Sequence, residues 1–360
     1  MALRRSGIIR WENVRTYLSK ALLFILSISI FILALVLVKE GAKPLAPVIR
    51  DRFSVDSPAS ALGFGWLAAS MVLSGSPIAA TSLAFLDARV LSPGESFAMI
   101  AGSRLGASFI VLMVGLVYIL RGQQRETSLG AGLLSLLVTQ TMYIPVLLLG
   151  FYILSQGWLH RWQFEAEQVL NSPLDRIFDP IVAFLTSYVA PWVLFPIGFG
   201  FLFLGLWLFD RLLPDLHLQE STLGLVHHLL YRPVVTFALG AAITALTMSV
   251  SVSLGLLVPL SARGYIRREN IIPYIMGANI TTFIDTLIAA ALLANPTAVT
   301  VVLVQMVSVG IVSGIILLLG FRIYERLLNR LVSRIGRDRG SLLAYILVTL
   351  AIPIGLLLLG

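Results

Sequence analysis

The sequence predicts an all-α polytopic membrane protein made of two inverted repeats, each with a re-entrant or broken helical hairpin, plus one extra C-terminal span. Three observations lead there. Of 360 residues, 58% are hydrophobic and 12% charged, and the mean hydropathy is +0.93, far outside the mix of a soluble domain. Apolar runs recur from end to end, each long enough to cross a hydrocarbon core of about 30 Å, which takes roughly 20 helical residues. Two further apolar stretches, 61–91 and 233–262, are interrupted by Ser, Gly and Pro.

Taken in order, residues 1–20 form a basic N-terminus, read as cytoplasmic. The first repeat, 21–154, places spans 21–38, 97–120 and 131–154 around the first interrupted stretch. The run 21–38 continues into Lys39 and Glu40 without a small-residue cleavage site, so it reads as a retained span rather than a signal peptide. An external linker, 155–191, follows. The second repeat, 192–321, holds spans 192–209, 271–294 and 298–321 around the second interrupted stretch. A basic cytoplasmic loop, 322–341, leads into the C-terminal span, 342–360.

With the N-terminus inside, eighteen Lys and Arg fall on the cytoplasmic side and seven outside, while Arg104 lies within a span. That asymmetry orients a multi-pass protein of the cell (inner or plasma) membrane. It also accounts for the net charge of +8 without a nucleic-acid partner. There is no cysteine, and the four histidines form no HExxH pair, which argues against thiolate metal sites and a zinc protease.

Shifting the chain against itself by 175 residues pairs Gly65 with Gly240, Ser74 with Ser249, Ser76 with Ser251 and Gly102 with Gly277. The identities are few; their placement at the breaks carries the match. The orientation of the halves is opposite, the pattern of an inverted repeat. Each arm of an interrupted stretch is too short to span, and a hairpin tip at membrane depth is tolerated only where protein buries it or water reaches it. The serine-rich tips therefore read as one end of an ion or substrate site, with close helix packing as the alternative use of small residues.

The span after each hairpin carries the other end. "GANITT" supplies Gly277, Asn279, Thr281 and Thr282, with Asp285 and Thr286 a turn deeper. Amide, hydroxyl and carboxylate oxygens are hard ligands suited to Na⁺, which makes Ser249, Ser251, Asn279, Thr281 and Asp285 the candidate Na⁺ set. The matching first-half segment, "AGSRLGAS", holds Arg104. An Arg near the bilayer centre costs roughly 2.5 to 3.5 kcal/mol on the insertion scale, so it needs an interior partner. A bound oxyanion and Asp285 are both open as that partner. The substrate and ion site is thus read as Ser74, Ser76, Arg104, Ser249, Ser251, Asn279, Thr281, Thr282 and Asp285.

At "GFGFLFLGLWLFDRLLPDL", "TALTMSVSVSLGLL" and "IIPYIMGANITTFIDT" the chain resembles the type II sodium-phosphate cotransporter family. The family's hairpin glutamine falls on Leu73 and Met248, and its middle serine on Gly75 and Val250. The resemblance implies a Na⁺-coupled inorganic phosphate symporter working by alternating access, with Na⁺ as coupling ion, no other cofactor, and the lipid bilayer as surroundings. A transporter of another anion, coupled to Na⁺ or to H⁺ through Asp285, is an alternative. So is a non-transporting membrane sensor or assembly subunit. An enzyme is the least favoured class, because Ser74 and Ser76 have no His or Lys base nearby in sequence.

Overall fold

A computed structural model describes residues 3–52, 55–120, 125–157, 180–211, 232–248, 250, 253–254 and 268–358, all helix or connecting turn. Helix α1 (Leu3–Ala42) is 40 residues long and starts within the basic N-terminus. A 3₁₀ turn (Lys43–Leu45) and a π turn (Val48–Arg52) lead to α2 (Pro58–Val72). Helices α3 (Ser76–Asp87), α4 (Pro93–Ala107), α5 (Phe109–Leu120) and α6 (Arg125–Gln156) complete the first half. After α7 (180–188) come α8 (Leu194–Asp210), α9 (Pro233–Thr247), α10 (Arg268–Thr281) and α11 (Ile284–Leu292). The chain ends with α12 (Pro296–Ile315), a π turn (Ile316–Gly320), α13 (Phe321–Ile335) and α14 (Arg339–Leu358).

Seven helical stretches are long and apolar enough to cross a membrane, the arrangement of a multi-pass membrane protein. Each span expected from the sequence coincides with one of them. The two shorter apolar helices, α2 and α9, are the first arms of the interrupted stretches.

Sequence dictates how these arms begin and end. Ser57 opens α2 with a capping box, its hydroxyl accepting from the Ser60 N–H at 3.1 Å; Ser92 and Glu95 do the same for α4, the Ser92 N–H donating to Glu95 Oε2 at 2.7 Å. Both short arms are 15 residues long, and each ends on a left-handed residue that is not glycine, Leu73 at φ 57° and Met248 at φ 47°. Such a conformation costs of order 1–3 kcal/mol and persists only where its surroundings enforce it.

Glycines bring backbones together. Helix α2 packs on α4 and α9 on α10. A Cβ at Gly65 would collide with the Met99 carbonyl, and one at Gly102 with that of Leu62. In the second half Gly240 meets the Tyr274 carbonyl and Gly277 that of Phe237 in the same way. Every member of this set recurs 175 residues on, which extends the sequence match to three dimensions of contact. Helix α8 lies along α1, where Gly41 and Gly198 leave room for the neighbouring backbone.

The spans after the hairpins are not continuous. The first breaks at Ser108, between α4 and α5, and the second at Thr282 and Phe283, between α10 and α11. Both breaks fall on the polar motifs.

One expectation needs correcting. Residues 322–341, read as a basic loop, are helical as far as Ile335. The reason lies in the spacing: Leu328 and Val332 are buried while Arg322, Arg326, Arg330 and Arg334 recur every four residues on another face, so charge density disguised an amphipathic helix. Of the expected external linker 155–191, only its ends lie within the described residues.

Two measurements test this architecture. Gly277→Val should destabilise the protein by about 1–3 kcal/mol through overpacking, whereas Gly310→Ala, with nothing within 4 Å of the new methyl, should stay within about 0.5 kcal/mol; thermal unfolding in detergent reads both. Second, Asp338 caps α14, accepting at 2.7 Å from the Ser341 N–H and at 2.8 Å from its hydroxyl. These bonds, the backbone bond first, hold its carboxyl below the usual carboxylate value, with the Gly340 N–H and Arg337 acting the same way. Because the folded value is depressed, the cap's contribution is full above the ordinary Asp pKa and is lost as pH falls through the lowered one. A carboxyl ¹³C titration should therefore find Asp338 deprotonating at lower pH than an Asp in an unfolded peptide.

Candidate functional site

Arg104 sits on the last turn of α4 and is 4% exposed. The break in the second half supplies its partners. Nη1 donates to Thr282 Oγ1 at 3.1 Å, and Nη2 donates to Thr286 Oγ1 at 2.5 Å and to Asp285 Oδ1 at 3.4 Å. The guanidinium carbon lies 4.8 Å from the centre of the Phe283 ring, within cation–π range. Asp285 stands in the first turn of α11, where the helix N-terminus favours a carboxylate, and accepts from the Thr286 N–H at 2.5 Å.

The ion pair is loose. Charge-assisted N–H···O⁻ bonds run at about 2.7–2.9 Å, while this contact is a single one at 3.4 Å. Among the described residues, Arg104 Nε and Asp285 Oδ2 have no hydrogen-bond partner. Each charge is therefore held but not fully coordinated, in a setting where an unmade bond to a buried charged group is costly.

More open donors lie around it. Tyr143 of α6 is within electrostatic reach of Arg104, and its hydroxyl faces Gln305 of α12 without a well-formed hydrogen bond. Both side chains are fully buried, and among the described residues neither the Tyr143 hydroxyl nor either polar atom of the Gln305 amide has a partner. The turn between α2 and α3 lies at the same place: a Cβ at Gly75 would sit 3.4 Å from Arg104 Nη1. The half-buried Ser74 and Ser76 flank that glycine, and α3 begins there, turning its N-terminal N–H groups and the positive end of its dipole toward the tip.

The second tip approaches from the Asp285 side. A cavity of about 130 Å³ is lined by Phe24, Ser27, Phe31, Gly205, Met248 and Asp285. Met248 is the left-handed residue ending α9, so the end of that arm shares a cavity with Asp285.

The structure brings together Ser74, Ser76, Arg104, Thr282 and Asp285 of the residues expected from sequence. Of the Na⁺ set, the described members make other contacts. Asn279 donates to Thr139 of α6 at 3.3 Å, Thr281 to the Ala241 carbonyl of α9 at 2.8 Å, and Asp285 serves Arg104. Ser249 and Ser251 lie outside the described residues. Sequence reasoning missed Tyr143 and Gln305, since a lone Tyr and a lone Gln within apolar runs carry no motif; the rarity of a Gln in mid-span was the only signal.

No family model matches the chain, and neither a curated protein nor a solved structure matches it.

The pair itself is testable. Arg104→Gln strands a buried carboxylate and should cost about 3–5 kcal/mol, while Arg104→Gln with Asp285→Asn should recover most of that loss. Unfolding of the two variants in detergent reads the difference.

Proposed function

We propose that the protein is a secondary active transporter that carries an inorganic oxyanion, phosphate first among candidates, with Na⁺ as coupling ion. On this reading the chain forms two inverted repeats with re-entrant hairpins, its N-terminus cytoplasmic, and belongs with the type II sodium-phosphate cotransporters that its second half resembles. The observation that carries the proposal is the buried cluster of open donors, Arg104 Nε, the Tyr143 hydroxyl and the Gln305 amide, none with a partner among the described residues, beside the break between α2 and α3. Such a cluster suits a tetrahedral oxyanion, which Arg matches geometrically. The recurrence of arm length, strained tip and glycine contact at 175 residues supports the repeat, and transporters of that kind bind substrate between the halves near the midplane.

Coupling follows from the loose pair. An arriving oxyanion competes with Asp285 for Arg104. When it wins, Asp285 is left as an uncompensated buried carboxylate, a state worth several kcal/mol of penalty, which a cation relieves. Anion and cation uptake thereby favour each other through one exchanged contact. Each net positive charge moved inward at about 100 mV yields roughly 2.3 kcal/mol, enough for surplus cations to draw an anion against the potential.

A proton is the second reading of the coupling cation. The cavity beside Asp285 is lined chiefly by apolar side chains, which can accept a neutral acid more readily than a Na⁺ that needs several oxygens.

Proteoliposomes decide between them. Radiolabelled phosphate should accumulate under an inward Na⁺ gradient and not when K⁺ replaces Na⁺; accumulation driven by a pH gradient alone selects the proton. Arg104→Gln should lower uptake to about a tenth or less, as expected for losing a charged contact worth about 1.5–3 kcal/mol. If folded protein moves neither phosphate nor any other oxyanion of a competition panel under either gradient, the transporter proposal fails.

A further inference from the structure

Helix α13 carries a second feature that transport does not use. Gly320, at φ −131° and ψ 6°, interrupts the helix before it, and "FRIYERLLNRLVSRI" then winds three different faces. Leu328 and Val332 are buried, and the Tyr324 hydroxyl meets Thr141 Oγ1 of α6 at 2.8 Å. A second stripe, Leu319, Ile323 and Leu327, is 82%, 68% and 50% exposed. Immediately beside it runs a third, the exposed Arg322, Arg326, Arg330 and Arg334. Equal steps of four residues keep the two stripes parallel along the helix.

Their depth follows from the neighbours. The turn of α6 that receives Tyr324 also receives Tyr345 of α14, whose hydroxyl donates to Gln140 Oε1 at 2.8 Å. Tyr345 lies about two turns from Arg337, Asp338 and Arg339, the charged start of α14. Since α13 and α14 are joined by a short turn and run antiparallel, Arg326, Arg330 and Arg334 rise from the edge of the apolar belt to its charged boundary. Long arginine side chains at that level reach outward while their stems stay in hydrocarbon.

Two cavities on this face meet at Arg326. One, of about 480 Å³, is lined by Leu317, Leu318, Leu319, Ile323, Arg322 and Arg326. The other, of about 770 Å³, is lined by Arg326, Leu327, Arg330, Leu331, Arg334 and Arg337. One is apolar at its far end and the other cationic. The stretch 322–339 holds six arginines and two acidic residues, Glu325 and Asp338, and among the described residues none of these arginines forms a salt bridge.

We infer that this face is a binding site for an anionic phospholipid, its acyl chains lying along Leu319, Ile323 and Leu327 and its phosphate held by Arg326, Arg330 and Arg334. The charge is complementary, the apolar and cationic parts are contiguous in the order a lipid requires, and the site sits at the depth of a headgroup. The inference rests on the membrane-spanning architecture and not on the transported species.

The test is native mass spectrometry of the full-length protein in neutral detergent, titrated with phosphatidylglycerol, phosphatidylcholine or inorganic phosphate. Phosphatidylglycerol should be retained, phosphatidylcholine should not, and inorganic phosphate should fail to displace the lipid. Each arginine removed should weaken retention about fivefold, so Arg326→Gln with Arg330→Gln should weaken it by about 25-fold, while Arg50→Gln should leave it unchanged. If the double variant does not purify, Arg330→Gln alone carries the same expectation at about fivefold. Equal retention of both lipids, full displacement by inorganic phosphate, or unaltered phosphatidylglycerol binding by the arginine variants would overturn the proposal.

Discussion

A guanidinium cannot be left inside an apolar bundle without a partner, and Arg104 is 4% exposed. The chain answers that constraint from its other half, with Thr282, Asp285 and Thr286 converging on the two terminal nitrogens. Much of the remaining architecture serves this meeting. The break between α10 and α11 frees a turn of backbone so that these three polar side chains face one way, and the first turn of α11 steadies the carboxylate. The result is a charge pair that joins residues 181 apart in sequence, held by geometry too loose for a purely structural bridge.

Backbone contact provides the second constraint. Where α2 lies on α4 and α9 on α10, the glycines place carbonyls where side chains would ordinarily stand. Close approach of this kind gains dispersion energy without relying on a hydrophobic drive, which is absent between helices in lipid. It also fixes where each short arm ends. Leu73 and Met248 are forced into left-handed backbone there, and strain of that type collects at sites rather than at random.

The two halves are alike in frame and unlike in chemistry. At the 175-residue spacing Arg104 corresponds to Asn279, a charge opposite an amide. Asn279 is engaged with Thr139, whereas Arg104 keeps a free Nε beside Tyr143 and Gln305. The polar centre is therefore one-sided: cationic where the first tip closes, acidic where the second does.

The membrane class and the seven spans were legible from composition and run length, because hydrocarbon thickness imposes a length and a polarity on every crossing segment regardless of its neighbours; the breaks at Ser108 and at Thr282 and Phe283 fall inside stretches that read as continuous spans. The helix α13 was legible too, had the four-residue step of its arginines been weighed against their number. Which partner Arg104 takes was not. Asp285 and an external oxyanion satisfy the same local rule, and only the crossing of α4 with the α10–α11 break brings Asp285 within reach of the guanidinium. Nor did any local pattern mark Tyr143 or Gln305, whose open hydrogen-bonding groups acquire meaning only from being buried near a charge on another helix. Periodicity is a property of one segment, whereas desolvation is a property of the whole fold, and the site was settled by the second.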